Sequence, residues 1–186
     1  MPDEKPAADA SAFAFFTRDE AATVQTAMAR IFPDDDLGPG AVQAGTLTYL
    51  DRSLTGADRN LQGLYRAGVR LLDAAAQSRH GSAFAVCTPM QQDAMIEELE
   101  RGTLFAPGSA PAAAAFFAEL RAHTIEGMFS DPVHGGNRNF AGWRLLGYPG
   151  PQPSYSHAEQ QLDAAIVRDR IFSAADYPLA APGEKA

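Results

Sequence analysis

Residues 58–81 read DRNLQGLYRAGVRLLDAAAQSRHG, and they indicate the fold class more clearly than any other stretch of the chain. Their apolar and small residues recur every three to four positions, the spacing that aligns side chains on one face of an α-helix. The members of this stripe are Leu61, Leu64, Tyr65, Gly68, Leu72, Ala75 and Ala76. Asp58 is a residue type that caps a helix start, and Gly81 is one that ends a helix. The pattern therefore predicts a long helix between these two residues.

The flanking sequence predicts more helices of the same kind. Thr17 with Glu20, and Thr88 with Pro89 and Gln91, form capping boxes, in which paired side chains bond the first free amides of a helix. Weaker periodicity predicts three further helices, over about 40–54, 111–127 and 157–172. No stretch alternates apolar and polar residues over a useful length. We therefore predict an all-α fold, an irregular bundle of about five or six helices with a long ordered Gly/aromatic loop near the C-terminus.

The length of 186 residues suits one domain rather than two. An apolar content of 46% is that of a globular chain. No apolar run approaches the roughly 20 residues that cross a bilayer, so no direct membrane span is expected. We predict a disordered N-terminal tail over 1–12, a single helical domain over 13–172 with an ordered loop at 131–153, and a C-terminal tail over 173–186.

Negative charge is concentrated in the N-terminal third. Fifteen basic and twenty-three acidic side chains give a net charge of −8, of which −6 lies in residues 1–58. This field would repel a polyanion, so we expect no nucleic-acid partner. The run Asp34–Asp36 lacks the spaced ligands of a calcium loop and lies between Pro33 and Leu37-Gly38. A solvated turn between helices is therefore favoured over a cation site.

The single cysteine, Cys87, lies in an apolar run and is expected to be a buried small side chain. One cysteine rules out an internal disulfide and any multi-cysteine zinc or iron–sulfur site. Residues 1–11 carry neither a basic region followed by an apolar one nor a twin arginine. The sequence thus predicts no export signal of its own.

Residues 131–150, DPVHGGNRNFAGWRLLGYPG, combine helix breakers with large aromatic side chains. A flexible linker would not carry such aromatics, whereas an ordered loop needs glycine for its backbone path and aromatics for its packing. We therefore predict an ordered surface loop packed on its own helices or on another chain. Three phenylalanines near the N-terminus are expected to pack on the core or on a partner. The predicted partner interface consists of Phe13, Phe15, Phe16, Asp131, His134, Asn137, Arg138, Phe140, Trp143 and Tyr148.

An alternative interpretation is an independent metal-dependent enzyme that uses His123, Asp131 and His134. Their spacing matches no strong metal-ligand pattern, and a histidine on an apolar helix face is more typical of a hydrogen-bonded core residue. The chain contains neither a nucleophile elbow nor the glycine pattern of a dinucleotide-binding fold. We therefore predict no catalytic, cofactor-binding or metal-binding residue in this chain, and the alternative keeps enzymatic activity open.

The loop resembles the C-terminal hallmark of the small third subunit of gluconate 2-dehydrogenase and its relatives. The residues that carry this resemblance are Asp131-Pro132, Gly135-Gly136-Asn137, Gly142-Trp143 and Gly147-Tyr148-Pro149-Gly150. The stretches FTRDEA at 16–21, IFPDD at 31–35 and LRAHTIEG at 120–127 are also similar to the family's pattern. The resemblance covers about residues 15–150. His134 departs from it, because the family commonly has Tyr at that position.

The resemblance implies a non-catalytic small subunit of a sugar or sugar-acid dehydrogenase complex, such as gluconate 2-dehydrogenase or glucoside 3-dehydrogenase. In such complexes a GMC-type flavoprotein large subunit carries FAD, and a cytochrome c subunit with haem c often accepts the electrons. The small subunit supports the assembly, stability or export of the flavoprotein. The implied location is periplasmic, or at the inner membrane through the partner, and the lack of a visible signal peptide leaves the cytoplasm open. An acidic scaffold or regulatory protein unrelated to redox chemistry is a third interpretation.

Overall fold

A computed structural model of the chain describes residues 13–106, 113–161, 163 and 170–177. In this part of the chain the backbone forms α-helices and 3₁₀ turns, and no β-strand beyond an isolated bridge between Asp35 and Gly38. The α-helices are α1 (Arg18–Ile31), α2 (Ala41–Ala44), α3 (Thr46–Thr55), α4 (Gln62–His80), α5 (Pro89–Glu100), α6 (Ala113–Phe129) and α7 (Ala141–Leu146). The prediction of an all-α fold is therefore confirmed.

Both predicted capping boxes are present. The Thr17 hydroxyl accepts the Glu20 N–H, and the Glu20 carboxylate accepts the Thr17 N–H at 2.9 Å. Thr88 and Gln91 satisfy each other in the same way at the start of α5. These two helices begin where the sequence predicted, because each start is fixed by residues only three positions apart.

Two other predicted helices differ from the structure at glycine or at their caps. Gly45 adopts a left-handed conformation with φ +73° and divides the helix predicted over 40–54 into α2 and α3. Asp58 was predicted to cap the long helix, but α4 begins only at Gln62, after the 3₁₀ turn Arg59–Leu61. The Asp58 carboxylate instead accepts a hydrogen bond from the Ser53 hydroxyl. The C-terminal limit at Gly81 is confirmed, with φ +71°.

The helix predicted over 157–172 is wrong at both of its described ends, since residues 170–172 are not helical either. The chain makes only a 3₁₀ turn at Ala158–Gln160, and Gln161 is extended with φ −74° and ψ 145°. Residues 162 and 164–169 of this prediction lie outside the described residues. The predicted tail over 1–12 and residues 178–186 of the predicted C-terminal tail lie outside them too.

Helix α6 is the central element, because it packs against each of the other six helices. Two glycines allow its closest approaches. A Cβ on Gly68 of α4 would lie 2.1 Å from the buried Phe116 ring, and a Cβ on Gly127 would lie 2.9 Å from Thr46 of α3. The C-terminal turn of α6 is thereby fixed in the core, and it is this turn that carries the 131–150 segment.

Two predictions from composition concern single features. Cys87 is a free, buried cysteine, as expected. Among the helices of the described residues, none combines the length and the apolar content needed to span a bilayer.

Candidate partner interface

The segment 131–150, predicted as a loop, is ordered but contains two 3₁₀ turns and the short helix α7. It folds back onto the last turn of α6, and we continue to call it the 131–150 loop. Asn137 connects the loop to α6, since its backbone N–H donates to the Gly127 carbonyl at 2.6 Å and its side-chain amide donates to the Ser130 carbonyl at 2.9 Å. The Asn137 side-chain oxygen accepts the Gly142 N–H at 2.9 Å. Carbonyls at the end of a helix have no partner within the helix, so Asn137 both satisfies α6 and fixes the loop.

Two glycines of the loop permit backbone-to-backbone contact with α6. A Cβ on Gly136 would lie 2.2 Å from the Gly127 carbonyl oxygen, and a Cβ on Gly142 would lie 2.0 Å from that of Met128. Any side chain at either position would force the backbones apart. The Gly-Gly-Asn and Gly-Trp motifs of the sequence are therefore packing motifs.

Three residues other than glycine adopt left-handed backbone conformations in this loop. Asn137, Asn139 and Phe140 have φ values of +46°, +56° and +58°. Such a conformation costs about 1–2 kcal/mol for a residue such as Phe140, and asparagine tolerates it better. The contacts with α6 hold the loop in this shape.

An aromatic cluster follows from that backbone shape. The Phe140 ring stacks on Trp143 with centroids 5.6 Å apart, and Tyr148 meets Trp143 edge-on at 5.0 Å. The Trp143 indole N–H donates to the Phe129 carbonyl at 2.7 Å. Phe140 is half-buried and Tyr148 is 39% exposed, so this cluster anchors the loop on one side and presents two aromatic rings on the other.

A return segment, residues 170–177, closes the loop from outside. Its Ala174 N–H donates to the Asp131 carboxylate at 2.7 Å, and its Phe172 N–H donates to the Pro149 carbonyl at 3.3 Å. Gly150 has φ +85°, and a Cβ there would lie 2.0 Å from the Phe172 carbonyl oxygen. The loop therefore contacts α6 on one side and the return segment on the other.

The predicted interface residues differ in their exposure. His134, Arg138 and Tyr148 are exposed. Phe13, Phe15, Asp131 and Phe140 are half-buried, whereas Phe16, Asn137 and Trp143 are buried within this chain. The burial of the last three assigns them to the chain's own packing rather than to direct contact with a partner. The exposed and half-buried residues therefore remain the predicted contacts with a partner.

The N-terminal phenylalanines are held by a buried carboxylate. Asp51 of α3 accepts the backbone N–H groups of Ala14, Phe15 and Phe16 at 2.6, 3.0 and 3.1 Å. Arg66 of α4 donates to the Phe15 carbonyl at 2.8 Å, and its guanidinium lies 4.2 Å from the centre of the Phe15 ring. This segment is thus fastened to the helical body before any partner binds.

An apolar groove that the sequence did not predict lies between helix α7 and the turn at 33–40. It has a volume of about 480 Å³. Half-buried rings of Phe32 and Phe129, 5.9 Å apart, lie at its base, while Leu37 and Leu146 stand at its rims. Leu37 is 84% exposed and Leu146 is 65% exposed. The only sequence signal for this groove was a leucine placed among turn residues, where an apolar side chain has nothing local to pack on.

The aspartate run forms a turn, as predicted. Asp35 accepts the N–H groups of Leu37 and Gly38 through its side chain, and Asp34 accepts that of Gly40. All three aspartates are exposed. The carboxylates of Asp34 and Asp35 thus act as acceptors that define the turn.

The metal-site alternative does not agree with the geometry. Asp131 uses both carboxylate oxygens to accept backbone N–H groups, those of Val133 and Ala174. His134 is exposed, and His123 is buried in the helical core. Within the described residues, no three His, Cys, Asp or Glu side chains form a group that could hold a metal ion.

His123 belongs to a buried polar network. Its Nδ1 lies 2.9 Å from the Tyr65 hydroxyl and from the Glu119 carbonyl oxygen, and its Nε2 lies 3.4 Å from Asp58. Burial raises the pKa of Tyr65 far above its ordinary value. The hydrogen bond from Ser53 lowers the pKa of Asp58. His123 is therefore a hydrogen-bonded core histidine, as predicted.

Comparison with known proteins identifies one family. A sequence model described as gluconate 2-dehydrogenase subunit 3 matches residues 18–150. No curated protein and no solved structure matches the chain. The matched range begins at the first residue of α1, includes the loop and the groove, and ends at Gly150, before the return segment.

Proposed function

The chain belongs to the gluconate 2-dehydrogenase subunit 3 family, and on that premise we propose that it is a non-catalytic small subunit that supports a flavoprotein dehydrogenase. The proposed partner is a GMC-type large subunit that carries FAD and oxidises a sugar or sugar acid, for example gluconate or carbon 3 of a glucoside. A cytochrome c subunit with haem c would be the electron acceptor where one is present. The family assignment supports a dehydrogenase complex, and the flavoprotein, its FAD and the haem are part of the proposal.

The observation that carries the proposal is the internal fixation of the 131–150 loop. Asn137 and two glycines bind the loop to α6, yet the rings of Phe140 and Tyr148 remain accessible. A preformed loop that presents aromatic side chains loses little conformational freedom on binding, which favours association with another protein. Aromatic residues are enriched where one subunit anchors another.

The same observation argues for support rather than chemistry. Asp131, the carboxylate of the loop, is engaged by two backbone amides, and the buried His123 already has protein partners. Neither is left to move a proton on a bound substrate. In the proposed complex this chain contributes a surface, and the large subunit contributes the active site.

Co-expression with a GMC-type flavoprotein from the same genome tests the proposal. We expect the two chains to co-purify and the yield of FAD-loaded, sugar-oxidising large subunit to fall when this chain is omitted. The isolated chain should oxidise none of the sugars tested with an artificial electron acceptor. Sugar oxidation by the isolated chain, or an unchanged yield of active flavoprotein without it, would contradict the proposal.

A matched pair of tyrosines tests the role of the loop. Tyr148 is 39% exposed in the aromatic cluster, and Tyr155 is 41% exposed outside it. We expect Tyr148→Asp to weaken association with the large subunit about tenfold or more, since truncated aromatic anchors typically have effects of that size. Tyr155→Asp should leave association unchanged, and equal effects of both variants would argue against this part of the proposal.

The proposal includes a location in the periplasm or at the inner membrane, reached through the partner. Cell fractionation with an antibody to this chain tests it. The chain should move from the periplasmic or membrane fraction to the cytoplasm when the gene of the large subunit is deleted. A cytoplasmic location in the presence of the partner would contradict this part of the proposal.

A further inference from the structure

We infer that Leu37 and the adjacent groove form a second contact with the large subunit, in which Leu37 enters an apolar pocket of that subunit and the groove receives an apolar ridge from it. This inference rests on the proposed function and adds to it the chemistry of the partner's surface. It concerns the turn at 33–40, which lies outside the interface residues predicted from the sequence.

The first observation is that Leu37 is exposed on a turn whose backbone is fixed by hydrogen bonds. Its backbone N–H donates to the Asp35 carboxylate at 2.8 Å, and Asp35 and Gly38 bond each other's backbones at 3.1 and 3.2 Å. Asp34 closes the turn by accepting the Gly40 N–H. The backbone position of Leu37 is thereby fixed, and its side chain is 84% exposed. Because its position is fixed before binding, its burial by a partner carries little ordering cost.

The second step is that the groove is a permanent feature of the surface. Gly38 touches the opposite wall, since a Cβ there would lie 2.6 Å from Leu145 of α7. At the base, the edge-to-face rings of Phe32 and Phe129 connect the end of α1 to the end of α6. The exposed leucines on the two rims, Leu37 and Leu146, extend the apolar surface outward. An open apolar surface of this kind marks a contact site for another molecule.

The third step is the charge on the two rims. Asp36 is exposed beside Leu37, and within the described part of the chain it makes no hydrogen bond or ion pair. On the other rim, the exposed Arg144 donates through Nε to the Asn139 carbonyl at 3.0 Å, which leaves its terminal nitrogens free to bind. A complementary ridge therefore carries apolar side chains flanked by a cation facing Asp36 and a carboxylate facing Arg144.

The same charges favour the large subunit over a second copy of this chain. Of the net charge of −8, −6 lies in residues 1–58, which include the turn. Two copies joined turn against turn would bring two runs of three exposed aspartates together, and this repulsion opposes association. A large subunit with a basic side chain opposite the turn would instead be attracted.

Charge and apolar variants of the rims, measured in the co-purified complex and by titration of the large subunit, test the inference. Leu37→Asp and Leu146→Asp should each weaken binding about tenfold or more, and Asp36→Lys should weaken it most at low salt. Met90→Asp is the control, because Met90 is 82% exposed on α5 and does not line the groove. It should change binding less than twofold, and all four variants should keep the wild-type melting temperature.

The outcomes separate this inference from the proposed function. If the wild-type chain binds the large subunit and the Leu37 and Leu146 variants bind equally well, the inference fails and the proposed function stands. If the wild-type chain does not bind, the proposed function fails as well. If sedimentation shows that Leu37→Asp dissociates a dimer of this chain while binding to the large subunit is unchanged, a second copy covers the groove and the inference is overturned.

Discussion

Helix α5 and the loop after α6 are both ordered by side chains that bond backbone groups. In α5 the bonded residues are neighbours in the sequence, whereas in the loop they are further apart. Thr88 and Gln91 fix the start of α5 within four consecutive residues. Asn137 fixes the loop through the carbonyls of Gly127 and Ser130, on and just beyond a helix that has already packed into the core. The helical body is therefore specified locally, and the loop is specified by tertiary contacts.

This difference changes the meaning of the same residue type in the two regions. Gly63 in α4 has no atom within 4 Å of an added Cβ, so glycine there only weakens the helix. Gly142 in the loop is required by the adjacent backbone of Met128. Substitution of glycine should thus be tolerated at an open position of the body such as Gly63, and poorly tolerated at a loop position such as Gly142.

The largest effect is expected for Gly142→Ala. The new Cβ would lie 2.0 Å from the Met128 carbonyl oxygen, and neither backbone can move without breaking the contact between loop and α6. We expect the free energy of unfolding to fall by about 3 kcal/mol, the upper end for overpacked sites. Urea denaturation followed by circular dichroism measures this change.

Gly63→Ala is the matched control for that prediction. Alanine is the better helix former, and the space around Gly63 is open, so the free energy of unfolding should rise by roughly 0.5–1 kcal/mol. Similar losses of stability in both variants would remove the distinction between the two regions.

Asn137→Ala should have the next largest effect. It removes a buried donor and a buried acceptor, and it places alanine in a left-handed conformation. We expect a loss of about 2–3 kcal/mol. Asn137→Gly relieves the backbone without restoring the hydrogen bonds, so it should recover only part of the loss. Full recovery by glycine would show that the side-chain bonds contribute nothing.

Thr88→Ala should have a smaller effect, because it removes one side of a capping box at an exposed helix end. The expected loss is ~1 kcal/mol. Thr17→Ala, which removes the equivalent group of α1, should give the same value in thermal melts. A loss as large as that of Asn137→Ala would mean that the body also depends on single residues.

The smallest effect is expected for Arg79→Gln. Both terminal guanidinium nitrogens of Arg79 donate to Glu98 at 2.8 Å, and these hydrogen bonds lower the pKa of Glu98. A carboxyl whose pKa is lowered by folding stabilises the protein above its unfolded pKa, and that contribution is lost as the pH falls through its folded pKa. The variant should lose under about 1 kcal/mol at neutral pH. The difference from wild type should begin to shrink near the ordinary pKa of glutamate, about 4.3, and vanish only below the lowered pKa of folded Glu98.

Arg101→Gln is the control for this pH dependence. Arg101 and Glu97 are a more exposed ion pair one turn apart on α5. Because water screens such pairs, the change in stability should be within a few tenths of a kcal/mol at any pH. A pH-dependent loss larger than that of Arg79→Gln would contradict the assignment of the stabilisation to the Arg79–Glu98 pair.

The body was predictable from sequence wherever its signals are local. The capping boxes of α1 and α5, the end of α4 at Gly81 and the turn of the aspartates follow from residues a few positions apart. The capping role predicted for Asp58 was wrong, because its carboxylate accepts a hydrogen bond from Ser53 in the preceding helix. The division of the predicted helix at Gly45 was missed, because the left-handed conformation of this glycine is not visible in the helical pattern.

The candidate interface was predictable only in its location. Glycines mixed with aromatics predicted an ordered loop, and the loop is ordered. That Trp143 is buried and Tyr148 exposed follows from the left-handed turn at Asn139 and Phe140, which no propensity would assign to phenylalanine. The groove forms where two segments more than a hundred positions apart in the chain lie side by side. Leu37 hinted at an apolar surface, but nothing in the sequence predicts that these two segments meet.

The return segment has a practical consequence for anyone who shortens this chain. The region shared with the family ends at Gly150, but the backbone partners of Asp131 and Pro149 lie at 172–174. A truncation at the family boundary would keep all seven α-helices of the described residues. It would nevertheless remove the N–H groups that bond the Asp131 carboxylate and the Pro149 carbonyl, together with the segment that packs on Gly150. A shortened chain should therefore extend through Tyr177, and an affinity tag should follow that residue rather than replace residues 151–177.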